Sequence, residues 1–247
     1  MRLRKKLTFS TFLLLIFACI YFLYLYQTAT PKDFKEAKKI LKKAWKMQDF
    51  THDFYCNAPF EITQNGLKVI ESSVYSPRKK YTKKGAINER AKVIEFEHIM
   101  PAHNFGQHLA CWRRGGRAAC KEDAKFNAME ADLQNLVPAI GEINGDRNNF
   151  RYAQAPRDLA YTQYGGCQVF SDFKARRFYP AEYSKGLIAR TYLYMSEKYD
   201  INLSDSERKL MESWDKMYPP NDYEKARNAA IQKAKILYAF TKIKEIF

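Results

Sequence analysis

The chain has 247 residues, 46% of them apolar and 15% aromatic, which is ample for a packed core and excludes an intrinsically disordered chain. Its formal charge is +15. Arg2, Arg4, Lys5 and Lys6 are the only charged residues among the first thirty, so the body keeps +11, which favours a polyanionic partner, nucleic acid or an acidic membrane surface.

Residues 2–6 form a basic segment, and an apolar run follows from about residue 12 to residue 26. This order reads as a secretory signal or an uncleaved signal anchor, with export and possible membrane tethering as the expectation. Residues 1–30 are therefore set apart from the body, residues 31–247. No good small-x-small cleavage site is present, and the run reaches only the lower limit of length for a bilayer span. Outside this segment stand four cysteines, Cys56, Cys111, Cys120 and Cys167. An even number in an exported chain points to two disulfides, with three pairings open. The short loop between Cys111 and Cys120 is the natural pair, which leaves Cys56 with Cys167. A four-cysteine zinc site is disfavoured because no C-x-x-C pair exists.

The body begins with a predicted helix over residues 33–47, where Phe34, Ala37, Ile40, Leu41, Ala44 and Trp45 share one face and lysines cover the other. Residues 66–75 are a weak strand candidate, and residues 78–84 a basic turn. Residues 92–98 (KVIEFEH) alternate as a strand, and Pro101 stops regular structure. Residues 104–128, rich in Gly and Arg, read as loop; residues 129–154 are dense in Asn, Asp and Gly. The C-terminal part is helical: a stripe from Leu187 to Tyr199, a capping box of Ser204 with Glu207, and a last helix capped by Asn221 and running to about Lys242. With no internal repeat and no linker, the fold class is α+β with helices dominant.

Three segments carry chemistry. His98 follows Glu97 at the end of the strand-like run; a carboxylate binds a hard cation, and a neutral imidazole takes a proton from water near neutral pH. A zincin site is excluded, because Glu precedes His and Pro101 interrupts any helix. Residues 129–150 gather Glu130, Asp132, Asn135, Glu142, Asn144, Asp146 and Arg147, oxygen-rich chemistry that suits Mg²⁺, Mn²⁺ or Ca²⁺ better than zinc or copper. The alternative is a solvated Asx-rich turn region. Residues 111–121 place Arg113, Arg114, Arg117 and Lys121 on one loop, where guanidinium forks can grip phosphate.

Taken in order, E-x-E-H-x-x-P-A (95–102), C-W-x-x-G-G-R-x-x-C (111–120), M-E-A-D-L-x-N-L-x-P-A-I-G-E-I-N-G-D-R-x-N-F (129–150), G-x-C (165–167) and G-x-I-A-R-T-Y-x-Y-M (186–195) make the chain resemble the bacterial endonuclease I family of periplasmic and extracellular deoxyribonucleases. The resemblance spans about residues 34–227. It implies a ββα-metal (His-Me finger) core and nonspecific cleavage of DNA, often of RNA too, leaving 5′-phosphates. It implies that His98 is the general base, that Glu97 and Asn144 hold one Mg²⁺, that Glu130 supports the base or the metal water, and that Arg117 holds the cleaved phosphate. Arg113, Arg114, Arg147 and Arg151 are expected to touch the DNA backbone, and a monomer is expected. The chain departs from the family in Phe96, where Trp is common, and in its basic, apolar tail. Two other classes compete: an exported DNA-binding or DNA-uptake protein with a retired site, and a lysine-rich membrane-surface protein. The first would have lost His98, Glu97 or Asn144, which are all present, and the second leaves residues 129–150 unexplained.

Overall fold

The computed structural model describes residues 9–28 and 30–245, so the basic segment 2–6 lies outside the described residues. The apolar run forms helix α1 (Phe9–Thr28), of which residues 11–28 are long and apolar enough to cross a membrane. Helix α2 (Phe34–Met47) starts where Asp33 accepts a hydrogen bond from the Glu36 backbone N–H, and it buries Ala37, Ile40, Leu41, Ala44 and Trp45. Those are the residues that the 3.6-residue period assigns to the core; Phe34, at the helix start, instead reaches the cavity described below.

A hairpin of β1 (Phe60–Thr63) and β2 (Gly66–Val69) follows. The predicted strand over 66–75 is thus shorter, and β1 carried no recognisable alternation. The second sheet pairs β3 (Ile94–His98) with β4 (Leu136–Ile140), antiparallel, with His98 opposite Leu136 and Ile94 opposite Ile140. Pro138 is tolerated in β4 because the sheet has only two strands; its carbonyl accepts from the Phe54 N–H at 2.8 Å.

Between these strands the chain is not the loop that its Gly and Arg content predicts. It folds into four short helices, α3 (Ala102–Gly106), α4 (Ala110–Arg113), α5 (Gly116–Ala119) and α6 (Ala124–Glu130). The Cys111–Cys120 disulfide staples α4 to α5, and Asp123 caps α6 by accepting from the Phe126 N–H. Helix α7 (Gly141–Arg147) follows β4 without a loop. Gly141 is required there, because a Cβ would meet the Arg90 carbonyl and the Glu95 carboxylate at 2.8 Å.

A third sheet, in the order β5 (Arg151–Tyr152), β7 (Arg177–Tyr179), β6 (Phe170–Asp172), pairs β5 parallel and β6 antiparallel to β7. The Cys56–Cys167 disulfide ties this region to the start of the body, so both natural pairings of the sequence are realised. Helices α8 (Glu182–Tyr199), α9 (Asp205–Met217) and α10 (Asp222–Lys244) close the domain, with Ser204 and Asn221 as N-caps. Arg190 on α8 bonds Glu224, Asp215 and the Tyr218 carbonyl, locking the three together. The tail helix α10 packs along α2, where Lys242 pairs with Glu36, and meets α1 through Phe22 and Phe240. Mixed helices and small sheets around one core make this an α+β domain.

Candidate active site

The strand β3 ends where the polar residues of the two motifs converge. A cavity of about 870 Å³ is lined by Glu95, Glu97, His98, Arg117, Asn144 and Arg147 among others. All three elements of the β3–β4–α7 unit are needed: β3 carries Glu97 and His98, β4 holds the register, and α7 carries Asn144 and Arg147.

His98 is buried, with its ring between Phe34 and Phe105 at centroid distances of 4.7 and 5.8 Å. Its Nε2 lies 2.8 Å from the Glu130 backbone oxygen. A carbonyl only accepts, so Nε2 carries the hydrogen and Nδ1 keeps a free lone pair, with no partner among the described residues. Burial pushes the imidazole down to about 3; the Glu130 carbonyl opposes this, and Arg117, Arg147 and Lys38 reinforce it. The ring is therefore neutral near pH 7.

Glu97 is buried beside it. Its Oε1 accepts from the Tyr55 hydroxyl at 2.7 Å and from Arg147 Nη1 at 2.8 Å, and its Oε2 accepts only the His98 backbone N–H at 3.0 Å. Burial raises its pKa, opposed by the Arg147 guanidinium and the Tyr55 hydroxyl. Arg147, expected on the DNA, is instead 0% exposed: it also donates to the carbonyls of His98 and Ile99 at 3.1 and 2.8 Å and lies over the Tyr152 ring. Its guanidinium holds the end of β3 from inside.

Asn144 is oriented by Glu95, which accepts from its Nδ2 at 2.8 Å and is itself gripped in two places by Arg90 at 2.8 and 2.6 Å. The amide nitrogen is thereby committed, and Oδ1 has no hydrogen-bond partner among the described residues. Arg117 donates from Nε to the Glu130 carboxylate at 2.5 Å and stays half exposed, leaving its other guanidinium nitrogens free. Glu130 thus acts in two places, through its carbonyl on His98 and through its carboxylate on Arg117. The exposed Arg113 and Arg114 belong to the disulfide-bonded α4–α5 segment but do not line the cavity, and neither does Arg151.

Sequence reasoning missed Tyr55, Arg90, Glu95 and Phe34 as parts of this site. Glu95 had a signal, since it lies two residues before Glu97 on an alternating strand, and Tyr55 had one in the Phe54-Tyr55-Cys56 string shared with the family; Arg90 lies only five residues before Glu95 but in a segment with no periodicity to mark it, and Phe34, distant in sequence, had none. The remaining polar residues of 129–150 serve the scaffold. Asn135 bonds Met100 in both directions at 2.7 and 2.9 Å and fixes the turn after His98. Glu142 is buried and accepts from Tyr75, from the backbone N–H groups of Arg78 and Lys79, and from Asn88, while Asp146 pairs with Arg78. Asp132 accepts from Tyr194, Lys198 and Tyr199. This is neither a solvated turn nor one ligand shell, but a buried network in which each carboxylate is paired.

One cavity of this α+β domain thus gathers a buried neutral imidazole, a carboxylate, an amide and an arginine. The profile of the family described as Endonuclease I matches residues 30–236. Endonuclease-1 of Buchnera aphidicola subsp. Acyrthosiphon pisum (strain APS) is 42% identical over 207 residues, covering 83% of this chain and 78% of that protein. A periplasmic deoxyribonuclease of Aeromonas hydrophila is 42% identical over 211 residues, covering 84% of each chain. An extracellular deoxyribonuclease of the same organism is 43% identical over 204 residues, covering 81% of this chain and 83% of that one. The chain belongs to the endonuclease I family, and its class of activity is that of an endonuclease.

Proposed function

We propose that this protein is an exported, metal-dependent nuclease that cuts DNA, and RNA as a second substrate, without sequence specificity, and that β3, β4 and α7 are its ββα-metal core. The observation that carries the reading is the His98 ring: buried, neutral, donating from Nε2 to a main-chain carbonyl and presenting Nδ1 as a base.

The donor set fits a hard divalent cation. Glu97 Oε2 and Asn144 Oδ1 are oxygen donors on one cavity, each held by partners that occupy the rest of its side chain. Glu97 and Asn144 would be the protein's ligands, with water and phosphate completing the shell, as Mg²⁺ favours; Mn²⁺ and Ca²⁺ are alternatives. When bound, such an ion stabilises negative charge on the phosphate and on the departing oxygen.

In the proposed reaction His98 Nδ1 removes a proton from a water aligned with the scissile phosphate. The oxygen of that water bonds to phosphorus as the bond to the 3′ oxygen breaks, and the 3′ oxygen takes a proton from solvent, which leaves a 5′-phosphate and a 3′-hydroxyl. Arg117, aimed by Glu130, neutralises charge that builds on the phosphoryl oxygens. Arg147 and Tyr55 keep Glu97 fixed, and Asn144 is fixed by Glu95 and Arg90. Residues 1–30 direct export and, where retained, tether the domain through α1. The two disulfides suit an oxidising compartment, the periplasm or the outside of the cell.

The test is plasmid cleavage by oxidatively folded protein with Mg²⁺ or with EDTA, beside His98→Ala. Cleavage that needs both metal and His98 supports the reading. Folded protein that binds plasmid but never cuts it with Mg²⁺, Mn²⁺ or Ca²⁺ replaces it with a DNA-binding role.

A further inference from the structure

Beside the cavity that holds His98 lies a second, of about 620 Å³, and the two share His103 and Asn149 as common wall residues. The second cavity is walled by the three-stranded sheet and the start of α9. Arg151 on β5 and Arg177 on β7 are directly opposed register partners. Their neighbours Tyr152 and Phe178 point into the core, so strand alternation sends both guanidinium groups outward, where both residues are exposed. Unpaired, two such like charges side by side repel. Arg176, at the tip of the β6–β7 turn, adds a third cation in the left-handed backbone region (φ 53°), and its guanidinium lies 5.7 Å from the Phe150 ring centre.

These three arginines form no salt bridge among the described residues. Asp172, opposite Arg177 on β6, is turned to the backbone N–H groups of Lys174 and Ala175 at 3.1 and 2.8 Å. Glu207 on α9 is the carboxylate that shares the cavity, and one carboxylate leaves the excess of positive charge standing. A sheet that sets cations side by side, next to the His98 cavity and sharing the wall residues His103 and Asn149 with it, has the chemistry of a site for successive phosphates.

We infer that this second cavity is a phosphate subsite that grips the nucleic-acid strand beyond the bond being cut, with Arg151, Arg176 and Arg177 as its cations. The inference rests on the nuclease reading and deepens it. Guanidinium forks bind phosphate oxygens in pairs without reading bases. The strand runs from the Arg117 cavity past His103 and Asn149 to the arginine sheet. Arg176 and Arg177 are positioning residues: they add affinity for long substrates and hold the strand in line for attack.

The experiment is a salt titration of long-duplex DNA binding in a His98→Ala background, repeated with Arg176→Gln and Arg177→Gln together. Removing two phosphate contacts lowers the slope of log affinity against log salt by about 2. The same two substitutions with His98 intact shrink the preference for long over short oligonucleotides, by a rise in KM more than a fall in kcat. Arg176→Lys with Arg177→Lys restores the slope, because charge is what the subsite supplies. An unchanged slope overturns the inference, and so does a lowered slope that lysine fails to restore, since that marks a structural role. Failure of the nuclease reading appears elsewhere, as absence of cleavage by the unsubstituted protein, and leaves the binding titration readable.

Discussion

Arg147 and Arg177 belong to the same protein and are treated in opposite ways. Arg147 is fully buried, paired to Glu97 at 2.8 Å, bonded to two main-chain carbonyls and laid over Tyr152. Arg177 is exposed, faces Arg151 across the sheet and has no ion-pair partner among the described residues. The first kind of charge shapes the site, because a buried ion left alone is too costly to keep, and so its charge is paired and both terminal nitrogens are bonded. The second kind is left uncommitted, where a polyanion can supply what the fold withholds. The unit around His98 is organised on the first plan; Arg113, Arg114 and the arginine sheet follow the second.

The largest effect falls on the proposed base. His98→Ala is expected to lower cleavage by about 10²- to 10⁴-fold while DNA binding persists, measured by plasmid nicking and by a binding titration. Arg147→Met comes next: it leaves Glu97 buried without its countercharge and is expected to cost about 3–5 kcal/mol, read from the denaturant midpoint. If Arg147 touched DNA as a surface arginine does, stability would hold and only the salt dependence of binding would fall. Cys111→Ser with Cys120→Ser opens a short loop and is expected to cost about 2–3 kcal/mol; thermal melts against the oxidised parent check it.

Glu130→Gln separates two roles of one residue. Its carbonyl still accepts from His98, and its side chain loses the charge that pairs with Arg117. That pair is half exposed, so the expected loss in kcat/KM is about fivefold, corresponding to about 1 kcal/mol for a screened ion pair. A loss as deep as that of His98→Ala would mean that the carboxylate, not the carbonyl, supports the base. The smallest effect belongs to Arg113→Ala and Arg114→Ala, which change stability by no more than about 0.5 kcal/mol and lower the salt slope of DNA binding by about 1 each.

Features legible in the residues themselves are those governed by local physics. The period of Ala37, Ile40, Leu41, Ala44 and Trp45 specified α2 and its buried face, Ser204 and Asn221 marked helix starts, and alternation marked the strand that ends in His98. The motifs assigned the family, and four cysteines with a short natural loop led to both disulfides. Other features depended on partners distant along the chain. Residues 104–128 looked like loop because helices of four to seven residues have too little periodicity to show, and a disulfide and packing hold them. The polar residues of 129–150 looked like ligands or solvated turn because type and spacing do not tell that Asp132 will meet Tyr194, Glu142 Tyr75, or Asp146 Arg78 in the interior. Sequence alone determined the family, and with it the class of enzyme, because its motifs are long and contiguous. Tertiary structure decided which nitrogen of His98 is free, which carboxylate oxygens are already engaged, and which arginines face water, since each depends on burial and on partners that only the folded chain brings together.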